Sequence, residues 1–522
     1  MGRREWAGRW TYVLLLGLSS VALSFGGRAV AQPATPGPLA ADPHLNMVPL
    51  SPEDAARARA VLAPPADFGA PQPFEALAAG AATGMGAVDE RSFTHPSPNL
   101  ASDRRLDFEL GKALFDKLWV AAPASTRASD GLGPLYNARA CQDCHLRDGR
   151  GRLPGPEGDM LPGLVLRLSL PAPDTDDAAA IAAHLGDHAL GRQLQDHAAP
   201  GLKAEGRIAI RYTEVPVTLA DGTVVRLRAP SYEVADPAGG ALTPGLILSP
   251  RLAPPMIGLG LLEAIASADI LAGEDPDDQD RDGISGRANM IPSLEFDTLV
   301  LGRFGWKAGV ATVREQTARA LSNDMGLSSP PLPEPWGDCT TEQVACREAP
   351  DGEEPGIRDG RELDGQSLDL LAFYARNLAV PARRDVDDPR VLAGKAVFYQ
   401  AGCPACHRPN FVTARLTDRS EQSFQLIWPY TDLLLHDLGE GLADGFAEGR
   451  AVGREWRTAP LWGVGLTATV GGGQAHYLHD GRARSLLEAI LWHGGEGQAA
   501  RDQVNALPKE ERDALLSYLE SL

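Results

Sequence analysis

The most restrictive feature of this chain of 522 residues is a Cys-x-x-Cys-His pattern that occurs twice, from Cys141 to His145 and from Cys403 to His407. Two cysteines three positions apart on a turn can each bond one vinyl group of a haem, while the adjacent histidine binds the iron. The trailing histidine makes a zinc or thioredoxin-like site a much weaker interpretation. The sequence therefore predicts two haem c groups, attached through Cys141, Cys144, Cys403 and Cys406 and ligated by His145 and His407.

The amino terminus has the pattern of a secretory signal peptide. Arg3, Arg4 and Arg9 precede an apolar run, and Ala29-Val30-Ala31 ends it with small residues at the cleavage positions. We expect residues 1–31 to be removed near Ala31, which places the mature protein in the periplasm or outside the cell. The apolar run is about 14 residues, too short for a membrane span, and an uncleaved anchor is the alternative.

The net charge of the chain narrows the classes of partner, and the remaining cysteines predict a disulfide. The formal net charge is −20, which argues against nucleic acid and leaves room for a basic electron-transfer protein. The two cysteines outside the haem-type motifs, Cys339 and Cys346, are seven positions apart. In an exported protein they are expected to form a disulfide.

A short internal repeat organises the chain. Gly111-Lys112-Ala113-Leu114-Phe115 and Gly394-Lys395-Ala396-Val397-Phe398 each precede one haem-type motif, which indicates two related haem modules. Residues 32–100, rich in Ala, Pro and Gly, are interpreted as an arm. We place the first module, which carries a large insertion, at 101–384 and the second at 385–522.

The insertion contains the strongest strand signal. Residues 208–215 and 224–227 alternate in polarity around Asp221-Gly222, a dipeptide typical of hairpin turns. At the other end of the chain, Leu515, Leu516 and Leu519 have helical spacing and predict a terminal helix. The predicted fold class is mainly α: two cytochrome c-like haem modules with long loops and a small β-hairpin or sheet insertion.

An acidic loop stands apart from the haem motifs. Asp278, Asp280 and Asp282 repeat the ligand spacing of a calcium loop, Gly283 stands at the turn, and the carbonyl of Ile284 follows. A calcium site is predicted there, and a solvated acidic loop is the alternative.

Three further segments resemble one family. They are residues 131–139 (GLGPLYNAR), 301–308 (LGRFGWKA) and 477–495 (YLHDGRARSLLEAILWHGG). They are similar to segments of the di-haem oxidoreductase family of peroxidase-like proteins, some of whose members are described as thiol oxidoreductases. More distant resemblances are to di-haem cytochrome c peroxidases, MauG enzymes and di-haem rubber oxygenases.

The resemblance implies roles for individual residues. The relatives place the ligand that caps the second haem about fourteen positions after the histidine of the HDG segment, which here is His493. Trp306 stands where the relatives keep an inter-haem tryptophan, and Gln316 where they keep a glutamine. Asp324 takes the place of a glutamate but follows Gln316 by eight positions rather than ten. Leu321 stands at a position that is aromatic in the rubber oxygenases.

These expectations combine into one leading hypothesis. The first haem is open to peroxide or oxygen, with Trp306, Gln316 and Asp324 as catalytic residues, and the bis-histidine haem on His407 and His493 relays electrons. A redox partner protein and a small-molecule oxidant are the expected partners. The rival hypotheses are an electron-transfer cytochrome without catalysis and an oxygenase that acts on an apolar substrate.

Overall fold

The computed structural model describes residues 42–154, 163–171 and 186–522, and the predicted signal peptide lies outside them. The described residues belong to one unit, Pro36–Leu522. The α-helices, numbered in chain order, are α1 (Pro52–Val61), α2 (Arg105–Phe115), α3 (Cys141–Cys144), α4 (Leu259–Glu263), α5 (Ser267–Leu271), α6 (Val313–Met325), α7 (Val344–Arg347), α8 (Gly365–Arg376), α9 (Pro389–Gln400), α10 (Thr467–Val470), α11 (Leu486–Leu491), α12 (Gln498–Ala506) and α13 (Lys509–Ser521).

Two helix pairs use the repeated glycine in the same way. Helix α2 packs against α8, and a Cβ at Gly111 would lie 2.2 Å from the carbonyl oxygen of Leu370. Helix α9 packs against α13, and a Cβ at Gly394 would lie 2.0 Å from the carbonyl oxygen of Ala514. Only glycine permits this backbone approach. The helix predicted at the end of the chain is present as α13.

The strands form small two-stranded sheets. The strands are β1 (Thr83–Gly84), β2 (Val120–Ala121), β3 (Asp130–Leu132), β4 (Leu135–Tyr136), β5 (Leu164–Ser169), β6 (His197–Ala198), β7 (Arg207–Thr218), β8 (Val224–Ala235), β9 (Ile247–Leu252), β10 (Met290–Pro292), β11 (Leu299–Leu301), β12 (Val380–Pro381), β13 (Phe411–Val412), β14 (Leu426–Ile427), β15 (Leu435–Asp437) and β16 (Glu455–Arg457). The pairs are β1 with β12, β2 with β3, β4 with β6, β5 with β9, β7 with β8, β10 with β11, β13 with β14 and β15 with β16.

The hairpin predicted around Asp221-Gly222 is present. Strands β7 and β8 pair antiparallel from Arg207 opposite Ala235 to Thr218 opposite Val224. Its tip is tied to the carboxyl-terminal helix, because the Asp221 carboxylate accepts a hydrogen bond from Arg512 at 2.6 Å. The hairpin therefore extends from the first half of the chain onto the second.

The segment that precedes α2 also packs on the rest of the chain. The Asp42 carboxylate forms a fully buried ion pair with Arg303. The Glu75 carboxylate pairs with Lys395 at 2.6 Å and with Arg383, and all three side chains are buried. Because a buried charge requires a partner, these pairs tie the described part of the predicted arm to the segments around α6 and α9.

Helix α6 carries two of the predicted catalytic residues. The Thr312 hydroxyl caps its amino terminus by accepting from the backbone N–H of Glu315 at 3.0 Å, and Gly326 ends it with a positive φ of 64°. Such a cap pair stabilises a short helix at both ends. Over the stretches of chain given above, no helix combines the length and the apolar character that crossing a bilayer requires.

Candidate haem sites

The first Cys-x-x-Cys-His motif forms α3 and ends at His145. The Nδ1 of His145 donates to the backbone carbonyl of Pro254 at 2.9 Å, since a carbonyl oxygen only accepts. Burial lowers the pKa of His145 to about 4, so the imidazole is neutral at pH 7. A neutral ring whose Nδ1 carries the proton keeps its Nε2 lone pair for a metal ion. His145 therefore has the state that an iron ligand needs.

The first cysteine pair lies within electrostatic reach of Asp324. Cys141 and Cys144 are free thiols. Burial, and after it the Asp324 carboxylate, raises the pKa of Cys141 to about 12 and raises that of Cys144 well above its ordinary value. Neutral thiols next to a histidine ligand fit covalent haem attachment. The structure thus brings the predicted acid to the motif of the first site.

Asp324 is held by a glutamine from the insertion. The Nε2 of Gln193 donates to Asp324 Oδ1 at 2.8 Å, and the carbonyl oxygen of Asp324 accepts from the backbone N–H of Asn137 at 2.8 Å. Burial raises the pKa of Asp324, while the Gln193 hydrogen bond and the positive charge of Arg167 oppose the rise. The carboxyl group is fixed in position and retains a proton more readily than an exposed aspartate does.

Gln316 lies eight residues before Asp324 on α6, which is a little over two helical turns. Within the described residues its side chain makes no hydrogen bond. Leu321 is buried in the apolar cluster against which Cys141 packs. The structure therefore places Gln316 on the helix of Asp324 but gives it no contact with that carboxyl group.

The second motif repeats the histidine geometry of the first. A 3-10 turn, Cys403–Ala405, leads to Cys406 and His407. The Nδ1 of His407 donates to the backbone carbonyl of Tyr430 at 2.9 Å, and burial lowers the pKa of His407 to about 4. His407 is therefore a neutral imidazole with a free Nε2, as His145 is.

One cavity joins the second motif to His493. Cys403, Cys406, His407 and His493 all line it, among mostly apolar side chains. The cavity is partly open to solvent, and its lining is mostly apolar. The Nδ1 of His493 donates to the carbonyl of Ala489 at 2.8 Å, and burial lowers its pKa. Two neutral imidazoles, two thiols and an apolar cavity fit a haem group.

Trp306 lies on the wall of this cavity, and the Arg150 guanidinium lies 5.3 Å from the centre of its ring. Its Nε1 donates to the backbone carbonyl of Leu252 at 2.8 Å. Two residues further along the chain, the carbonyl of Pro254 accepts from His145. The segment from Leu252 to Pro254 therefore links the histidine of the first motif to an aromatic ring that faces the second cavity.

A buried charge cluster on the second cavity was not predicted. The His436 Nε2 lies 2.7 Å from Asp432 Oδ2, and its Nδ1 lies 2.6 Å from Glu496 Oε2 and 3.6 Å from the Sγ of Cys406. Hydrogen bonds to these groups outweigh burial and raise the pKa of His436 well above its ordinary value. No local pattern identifies this cluster, because Glu496 is sixty positions from His436.

The acidic loop gathers a different set of carboxylates from the predicted one. The carboxylate oxygens of Asp275, Asp278 and Asp280 lie within 4.8 Å of one another. Asp282 instead accepts a hydrogen bond from the backbone N–H of Ile284 at 2.8 Å. The group therefore contains two of the predicted carboxylates, those of Asp278 and Asp280, together with Asp275, which lies outside the regular spacing of the sequence pattern.

The third cysteine pair is bonded. Cys339 and Cys346 form a disulfide with a Cα–Cα distance of 6.3 Å, and both are buried against Leu135. The bond closes the loop that follows α6, so it holds that loop against the segment leading to the first motif.

The family comparison assigns a class that agrees with these two sites. The family model described as "Di-haem oxidoreductase, putative peroxidase" matches residues 75–160 and 167–522. The chain therefore belongs to this family, whose members are oxidoreductases that carry two haems.

More specific relatives add little. No curated protein matches the chain. Among solved structures, a chain from the structure of Kuenenia stuttgartiensis hydrazine synthase pressurised with 20 bar xenon matches at 18% identity with a TM-score of 0.21. The match covers 37% of this chain and 65% of that chain, so it spans just under two thirds of the relative.

Proposed function

We propose that the chain is a periplasmic di-haem oxidoreductase with peroxidase-like activity, built from two cytochrome c-like modules. The haems are attached covalently through the Cys141/Cys144 and Cys403/Cys406 pairs. The first site is open to a small oxidant, and the second relays electrons from a redox partner protein. Family membership supports the oxidoreductase class, and the presence of His493 on the cavity wall with His407 supports the division of labour.

The observation that carries this proposal is the position of His493. It lines the same cavity as His407, and both rings donate through Nδ1 to a backbone carbonyl. A haem bound by both His407 and His493 would pass electrons and would not bind peroxide. At the first motif, the group that we assign to the chemistry is the Asp324 carboxyl.

Asp324 acts as the proton-transfer residue of the first site. A haem attached at Cys141 and Cys144 and bound by His145 would supply peroxide binding and electron transfer to the O–O bond. Gln193 holds the Asp324 carboxyl through Oδ1, which leaves Oδ2 to give a proton to, or take one from, the oxidant. Burial excludes water and keeps the carboxyl protonated over a wider pH range.

Trp306 and the segment before Pro254 form the connection between the sites. The indole faces the cavity of the second motif and donates a hydrogen bond to the backbone carbonyl of Leu252. The His145 ring donates a hydrogen bond to the backbone carbonyl of Pro254. Tryptophan is the side chain best suited to carry a transient positive charge between redox centres, and the short covalent segment keeps the two hydrogen bonds close along the chain.

The test is an electronic and EPR spectrum of the purified ferric and ferrous protein, with and without carbon monoxide. We expect one high-spin haem that binds the ligand beside one low-spin haem. In His493→Ala the low-spin signal should be lost. His476→Ala is the matched control, since His476 lies in the same half of the chain outside the cavity wall. Two unreactive low-spin haems would instead identify an electron carrier.

A further inference from the structure

Another cavity, separate from the one that His407 lines, opens beside the end of α6. Asn323 and Ser322 line one side of it, so it adjoins Asp324. Three guanidinium groups, those of Arg167, Arg192 and Arg319, also line it. Arginine presents a planar set of donors that matches a carboxylate. Neighbouring groups already neutralise part of this positive charge.

One arginine and both acids of this cavity are engaged with other groups. Arg319 pairs with Glu315 at 2.8 Å on its own helix. Asp338 accepts hydrogen bonds from the backbone N–H groups of Arg192 and Gln193, the latter at 3.0 Å. The Glu448 carboxylate lies 3.8 Å from the guanidinium of Arg251, a residue that is not part of the cavity wall. Asp338 is therefore the acid on the wall whose charge acts on the two remaining arginine side chains, those of Arg192 and Arg167.

Arg167 and Arg192 share the single carboxylate of Asp338, so one positive charge of this group is left over. Within the described residues, neither guanidinium makes a hydrogen bond or an ion pair. Arg167 is half-buried on β5 and Arg192 is exposed, so one lies inside the cavity and the other faces solvent. The Arg167 charge also acts on the carboxyl groups of both Asp324 and Asp338.

We propose that this cavity binds a small organic carboxylate, held by the guanidinium groups of Arg167 and Arg192. Asn323 and Ser322 offer polar groups beside the bound anion, and Val310 and Phe446 provide apolar contact for its carbon skeleton. The bound molecule lies next to Asn323-Asp324 and hence beside the first site. The binding of this carboxylate does not depend on the proposed function. A role of the bound molecule as a substrate of the first site would rest on that function.

The test is isothermal titration calorimetry of the haem-loaded protein with succinate, and with succinamide as the uncharged match. We expect saturable binding of succinate and none of succinamide. Arg167→Gln should weaken succinate binding at least tenfold, equivalent to about 1.4 kcal/mol. Arg211→Gln is the control, because Arg211 is an exposed arginine of the hairpin that pairs with Glu233; this variant should bind as the wild type does.

Arg192→Gln provides a second variant whose exposed side chain is not needed for folding, and it should also weaken binding. Absence of saturable succinate binding to the wild type overturns the inference; a haem propionate that already fills the cavity would give this result. Unchanged binding in both arginine variants overturns it as well. Peroxide turnover plays no part in the titration, so failure of the proposed function would be seen separately in the turnover assay.

Discussion

The two Cys-x-x-Cys-His sites share a scaffold and differ in what surrounds it. In each, a glycine of the repeat allows close helix packing, and the histidine donates through Nδ1 to a carbonyl, that of Pro254 or of Tyr430. Around the second site lies a cavity with His493 on its wall. Around the first lie the carboxyl of Asp324 and polar groups of the insertion.

This difference shows how one scaffold can support two redox roles. The common part holds a neutral imidazole in a set orientation, which any iron-bound haem needs. Under the proposed function, the variable part decides whether the site offers a second histidine or a carboxyl group. The first module is also much longer after its motif than the second, and this additional segment supplies Gln193, the residue that holds Asp324.

The largest expected effect comes from removing one attachment site at a time. Cys141→Ser with Cys144→Ser should leave one covalent haem per chain, and so should Cys403→Ser with Cys406→Ser, because each pair bonds one haem. The haem-to-protein ratio after acid extraction measures this. The first double variant should keep the low-spin spectrum and the second should lose it. The Cys339→Ser, Cys346→Ser double variant should retain both haems; loss of both haems from a single motif would contradict independent sites.

The next effect concerns the acid of the first site. Asp324→Asn keeps the side-chain shape and an oxygen that can accept from Gln193, but it cannot transfer a proton. Peroxide-dependent turnover should fall by about 10²-fold, within the range for general acid–base catalysis. Asp143→Asn, at an acid inside the same motif that accepts from Arg139, should change turnover little. Equal rates in Asp324→Asn and the wild type would remove Asp324 from the mechanism.

We propose that the acidic loop binds calcium and stabilises the second site rather than the first. The Ser285 hydroxyl, just after the loop, donates to Glu496 at 2.7 Å, and Glu496 contacts His436 on the cavity wall. At a hundredfold excess over the dissociation constant, binding adds about 2.7 kcal/mol of stability. Chelation should therefore lower the melting temperature and release bound calcium. Asp280→Asn should abolish both responses, whereas Asp277→Asn, outside the cluster, should keep them.

The repeated glycines test the common scaffold. Gly111→Ala and Gly394→Ala each force a methyl group against a carbonyl oxygen of the partner helix, and such overpacking costs about 1–3 kcal/mol. Urea denaturation of the haem-loaded protein should show similar losses for the two variants. Gly86→Ala is the control, because its added Cβ meets nothing within 4 Å. A loss at only one of the two positions would show that the modules do not share this helix contact.

The sequence predicts the local parts of this comparison well and the long-range parts poorly. The hairpin follows from an alternating pattern around Asp221-Gly222 that lies within one stretch of chain, and the glycine repeat is likewise readable by eye. Glu496, which contacts His436, and Gln193, which contacts Asp324, come from elements far away along the chain. Burial and hydrogen bonding between such elements depend on tertiary packing, which periodicity alone does not encode. The calcium-loop pattern does not include Asp275, because this residue lies outside the regular loop spacing.

The smallest expected effect is a pH dependence of stability that comes from the first helix pair. A tyrosine contacts a carboxyl group there, whereas the tyrosine of the second pair contacts another tyrosine. Tyr374 of α8 donates to the buried carboxyl of Asp148 at 2.9 Å, while Tyr518 of α13 lies 3.2 Å from the hydroxyl of Tyr430. Burial raises the pKa of Asp148 to about 7, with Tyr374 opposing the rise. Between the ordinary pKa near 4 and this value the folded state holds more protons than the unfolded state, so stability falls as pH rises and levels off above pH 7. Asp148→Asn should remove about 1–2 kcal/mol of that fall between pH 5.5 and 7.5, measured by urea denaturation. Tyr518→Phe should leave the slope unchanged, because tyrosine hydroxyls do not titrate in this range; a slope that survives in Asp148→Asn would assign the pH dependence to another group.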